Sequence, residues 1–154
     1  MKREKLSILI LEPNALQCDL IKMALVRSRM NPIVCDQPDN LRQQLVQYMP
    51  DVLLIDTYLP GQNGLDLISQ LNSEVLLKRT KVFFLSSLGF PEIVQKAAQM
   101  GASGFFVKPL DPDLLVTRIQ NCFTKSESNN SRRGVQSRET LESGYPSSFN
   151  GASR

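Results

Sequence analysis

Four short apolar runs limit the fold of this chain more than any other feature. They are LSILIL (Leu6 to Leu11), VLLI (Val52 to Ile55), KVFFL (Lys81 to Leu85) and GFFV (Gly104 to Val107). None alternates apolar with polar residues, so each predicts a strand covered on both faces. A weaker run, Pro32 to Cys35, adds a fifth. Between the runs lie helical patterns. Leu16, Leu20, Met23, Ala24 and Val26 form the first, and Leu41, Leu45 and Tyr48 the second, with Asp39 expected as its N-cap. Leu65 to Leu71 gives the third. The fourth is opened by Pro91 and closed by Gly101. The fifth follows Asp111-Pro112 and carries Leu114, Leu115, Ile119 and Phe123. Leu59 to Gly64 has turn chemistry. Strands alternating with helices predict an α/β fold with a five-stranded parallel sheet between two helical layers.

At 154 residues and 42% apolar, the chain has material for one core. The apolar pattern stops near Lys125. Residues 126–154 are rich in Ser, Asn, Gly and Arg and bury too little to offset ordering entropy. The reading is an ordered domain over 1–125 and a disordered, solvated tail over 126–154. A docking role for Ser131-Arg132-Arg133 is the alternative.

The net charge of +3 is spread without a basic stripe, which disfavours a direct nucleic-acid partner. No run approaches the roughly 18 apolar residues of a membrane span, and Leu6 to Leu11 is too short for a signal peptide. A cytoplasmic location is expected. Absence of histidine excludes His-based triads and His metal sites. Cys18, Cys35 and Cys122 are scattered and read as small apolar thiols.

In a parallel sheet, sites form beyond the carboxyl ends of the strands. Here those positions hold Glu12, Asp56, Ser86 and Lys108. Two carboxylates suit a hard cation such as Mg2+. A lysine and a serine hydroxyl suit phosphoryl oxygens. An aspartate can act as a nucleophile and become an acyl phosphate. Singly, each has a plainer role, such as turn acid, helix-start acid, local hydroxyl cap or loop lysine. Together, at four strand ends, they form one chemically coherent set.

Three segments carry a resemblance: DVLLIDTYLPGQNG (Asp51 to Gly64), KVFFLSS (Lys81 to Ser87) and GASGFFVKPL (Gly101 to Leu110). In these, residues 5 to 124 resemble the receiver domain of two-component response regulators. The resemblance implies a flavodoxin-like doubly wound (βα)5 fold with strand order 2-1-3-4-5. It implies Asp56 as phosphoacceptor, Lys108 as the lysine on the phosphoryl group, and Ser86 and Phe105 as the hydroxyl and aromatic of the switch. Mg2+ would be held by Glu12, Asp56 and the backbone carbonyl of Tyr58. Pro109 matches a proline often preceded by a cis bond.

The chain departs from the family after the first strand. Glu12-Pro13 stands where two acidic residues are usual, so one carboxylate is missing and Mg2+ binding should be weakened. Glu12 takes the first position of the pair or, by a one-residue slip, the second. Bulky Tyr58 and Leu88 flank the site and imply slow loss of phosphate by excluding water.

The implied function is a stand-alone response regulator rather than an enzyme, its only catalysis being on its own aspartyl phosphate. A histidine kinase or phosphotransfer protein would supply phosphate. A downstream protein would read the face of the fourth helix, fifth strand and fifth helix. The alternative is a pseudo-receiver that binds protein without phosphorylation. A small phosphatase or flavin enzyme is disfavoured, since no glycine-rich loop follows the first strand.

Overall fold

The computed structural model describes residues 5–72 and 74–128. Five strands, β1 (Ser7–Leu11), β2 (Asn31–Val34), β3 (Val52–Asp56), β4 (Lys81–Ser86) and β5 (Gly104–Val107), form one sheet. All pairs are parallel and the order is β2-β1-β3-β4-β5. The expected architecture is therefore the observed one. Helices α1 (Ala15–Arg27), α2 (Leu41–Tyr48), α3 (Gly64–Asn72), α4 (Pro91–Gln99) and α5 (Pro112–Ser128) cover both faces.

Strand parity divides the core. Leu9, Leu11, Leu53, Ile55, Phe84 and Phe105 face α2, α3 and α4. Ile8, Ile10, Val52, Leu54, Phe83, Leu85 and Phe106 face α1 and α5. These strand side chains are buried on either side, which is why the runs lack alternation. Phe83 and Phe106 stack with centroids 5.9 Å apart.

Helix α1 buries Cys18, Ile21, Ala24 and Leu25, while Leu16, Leu20, Met23 and Val26 are exposed. Of the residues that defined its periodicity, only Ala24 reaches the core. Apolar residues occupy both sides of α1, so spacing announces a helix without choosing its inner face.

The second helix also differs from expectation. Pro38 opens a single 3-10 turn, Pro38–Asn40, which places Asp39 inside that turn rather than at the cap of α2. Leu41 and Leu45 are buried as read, but Tyr48 is exposed. The turn segment forms a small antiparallel hairpin, Tyr58–Leu59 with Gln62–Asn63, whose corner is Gly61 at φ 77.

Other caps follow the sequence. Pro91 lies in the first turn of α4, and Gly101 ends that region at φ 84. The Asp111 carboxylate accepts the amides of Asp113 (3.0 Å) and Leu114 (3.3 Å). Helix α5 continues to Ser128, past the boundary expected at Lys125. The rest of the expected tail, 129–154, lies outside the described residues.

Candidate functional site

Register brings the site together. Leu11 pairs with Ile55, so Glu12 emerges beside Asp56. Ser86 pairs with Val107, and the Lys108 amide donates to the Ser86 carbonyl at 2.8 Å, which sets Lys108 beside the same strand ends. Glu12, Asp56, Ser86 and Lys108 line one open pocket of about 460 Å³, with Pro13, Tyr58 and Leu88 also on its wall.

The lysine is the hub. Lys108 Nζ donates to Asp56 Oδ2 and to Glu12 Oε1, the latter at 2.9 Å. It also lies 2.8 Å from Glu12 Oε2, a charge contact off the hydrogen-bond direction, so that buried oxygen accepts no hydrogen bond. Glu12 Oε1 accepts the Asn14 amide (3.1 Å), and Asp56 Oδ1 accepts the Tyr58 amide (2.8 Å). The peptide bond between Lys108 and Pro109 is cis, as the resemblance implied.

Burial raises the Glu12 carboxyl above its ordinary 4.5, and the neighbouring Asp56 charge adds to this. Lys108 opposes both. Burial would lower Lys108, but its hydrogen bonds to Asp56 and Glu12 outweigh that and hold it above 10.5. Two carboxylates thus face one ammonium, leaving an excess of negative charge.

Of the two switch candidates, Ser86 lines the pocket with this trio, whereas Phe105 lies in the core and is not on the pocket wall. Phe105 is fully buried opposite Phe84, inward within the α3–α4 side of the core. Ser86 is 1% exposed. Tyr58 is 84% exposed and Leu88 50%, so both stand at the pocket rim. Sequence reading missed Thr57. This buried residue's hydroxyl shares a hydrogen bond of 2.7 Å with that of Ser86. Its only signal was a hydroxyl directly after the candidate acceptor.

Toward a cation the pocket offers oxygen donors, the carboxylates of Glu12 and Asp56. Among the described residues, no group of three His, Cys, Asp or Glu converges. Mg2+ often takes one or two carboxylates and keeps several waters. The two carboxylates of Glu12 and Asp56 match that minimal number.

Comparison with known proteins agrees with this architecture. Residues 8–120 match the family model of the response regulator receiver domain. The chain is 30% identical over 113 residues to the phosphate regulon transcriptional regulatory protein PhoB of Klebsiella pneumoniae, covering 73% of this chain and 49% of that protein. It thus spans about half the length of the curated relatives it matches. The BeF3-activated N-terminal receiver domain of RstA from Klebsiella pneumoniae superposes with a TM-score of 0.67 at 25% identity, over 74% of this chain and 95% of that one. The chemotaxis response regulator CheY4 of Vibrio cholerae gives 0.69 at 19% identity, over 76% and 98%. With its fold and most of its length matched in this way, the chain belongs to the response regulator receiver family.

Proposed function

We propose that Asp56 accepts a phosphoryl group from a histidine kinase or phosphotransfer protein and that the domain answers by changing its affinity for a protein partner. The observation that carries this reading is the convergence of Asp56, Lys108 and Ser86 on one open pocket. In the transfer, an Asp56 carboxylate oxygen attacks phosphorus, the bond to the donor nitrogen breaks, and an acyl phosphate forms. Lys108, already against Asp56, turns its charge to the new phosphoryl oxygens. Receiver domains generally bind Mg2+ at the acidic pocket. In this chain Glu12, Asp56 and the Tyr58 carbonyl would hold the ion, which offsets charge building on the transferred group. The Glu12-Pro13 pair makes that binding weak.

The output surface would be the face of α4, β5 and α5. Ser86 joins it to the site through β4, which pairs with β5 at Phe84 and Phe105. The exposed side chains of Leu88 and Phe90, between β4 and α4, extend this face toward the pocket.

A second reading has one observation in its favour. Lys108 already neutralises part of the Glu12 and Asp56 charge, and among the described residues no third carboxylate joins them. A pseudo-receiver that binds partners without phosphate would have such a self-contained ion cluster.

An amide NMR titration with Mg2+ and then beryllofluoride separates the two. The switch predicts shifts centred on Asp56, Ser86, Phe105 and Lys108 that vanish in Asp56→Asn. A spectrum unmoved by millimolar reagents would leave the binding module standing.

A further inference from the structure

We infer that Thr57 is a positioning residue for the phosphoryl site: its hydroxyl sets Ser86 as a hydrogen-bond donor. The inference rests on the phosphoryl-switch reading and adds a residue to it. Ser86 Oγ accepts the Leu88 amide at 3.1 Å, and the Thr57 and Ser86 hydroxyls share a hydrogen bond of 2.7 Å. A hydroxyl oxygen has two acceptor positions and one proton. When Thr57 gives the proton of the shared bond, both acceptor positions are filled and Ser86 has its own proton to offer to a further group. The available direction is the pocket, which both Thr57 and Ser86 line beside Asp56. An anion on Asp56 would meet a donor whose orientation is set in advance rather than a rotating hydroxyl.

Thr57 is itself fixed for this task. Its amide donates to the Leu85 carbonyl at 2.8 Å, extending the β3–β4 ladder one residue beyond Asp56. Its carbonyl accepts the Gly64 amide at 2.8 Å. Both anchors are backbone, so a side-chain substitution leaves them in place. Valine matches threonine in shape and lacks the hydroxyl, while serine keeps the hydroxyl and drops a methyl group. The pair therefore separates hydrogen bonding from packing.

The test is beryllofluoride affinity, read by amide NMR in Mg2+ on the full chain. Thr57→Val should weaken binding about five- to tenfold, the scale of one neutral hydrogen bond, and Thr57→Ser should remain within about twofold of the native chain. Adding Thr57→Val to Ser86→Ala should change nothing further, because Thr57 acts only through Ser86. Urea unfolding of each variant checks that all are folded. Native affinity in Thr57→Val would overturn the inference, as would an undiminished Thr57→Val loss in the Ser86→Ala background. If the native chain itself ignores beryllofluoride, the switch reading fails and takes the inference with it.

Discussion

The two ends of the sheet treat buried polar groups in opposite ways. At the amino ends of the strands, the Asp51 carboxylate accepts both the amide (2.9 Å) and the hydroxyl (3.3 Å) of Ser7. Its own amide and carbonyl bind Ser7 and Lys81. The buried Thr80 hydroxyl donates to the Pro50 carbonyl at 2.8 Å. This end is closed by local hydrogen bonds. At the carboxyl ends, one ammonium holds two carboxylates, and a Glu12 oxygen has no hydrogen bond. The first arrangement ties one carboxylate to neutral donors, beside a pocket of its own lined by Pro50, Asp51 and Thr80. The second carries surplus negative charge, two carboxylates against one ammonium, and it is this imbalance that marks it as the candidate site.

The largest expected departure from this contrast comes from Lys108→Met. It strips the cation from two buried carboxylates and should cost about 2–3 kcal/mol in urea unfolding without metal. Adding Asp56→Asn should recover most of the loss. An unchanged midpoint would mean that the site end is not held by its ion cluster. Asp51→Ala, at the closed end, orphans the Ser7 amide and should cost about 1–2 kcal/mol. The beryllofluoride response should be untouched, and a lost response would show that the two ends are coupled.

The smallest effect sharpens the contrast through pH. Burial raises the Glu12 carboxyl in the folded state. The folded chain therefore takes up that proton more readily than the unfolded one, and Glu12's contribution is complete below its ordinary 4.5. It is lost as pH rises through the raised folded value. In EDTA, Glu12→Gln should unfold at higher urea than the native chain near about pH 8, and this gain should fade on acidification. A gain constant with pH would place its cause outside the titration of Glu12.

Strands were legible because burial on both faces leaves unbroken apolar runs, and those runs located the strand ends where Glu12, Asp56, Ser86 and Lys108 meet. The inner face of α1 was not, because Leu16, Leu20 and Met23 repeat as regularly as Cys18, Ile21 and Leu25. Neighbouring elements, not periodicity, decided which set was covered. The start of α2 was missed because Pro38 favours an earlier turn than the Asp39 cap suggested. Thr57 was missed for another reason. Its partner, Ser86, lies 29 residues away, and only strand pairing makes them neighbours.

Gly64 shows how narrow the tolerances around Asp56 are. A β-carbon there would overlap the Asp56 carbonyl oxygen and stand 3.1 Å from the Thr57 Cα. The first residue of α3 is thus pressed against the peptide that joins Asp56 to Thr57, and its amide is bonded to the Thr57 carbonyl. In mechanical terms this is a joint without slack: a shift of that peptide is delivered to the first turn of α3 undamped. In terms of inheritance, position 64 has one admissible letter. Even alanine would force the Asp56 peptide to shift.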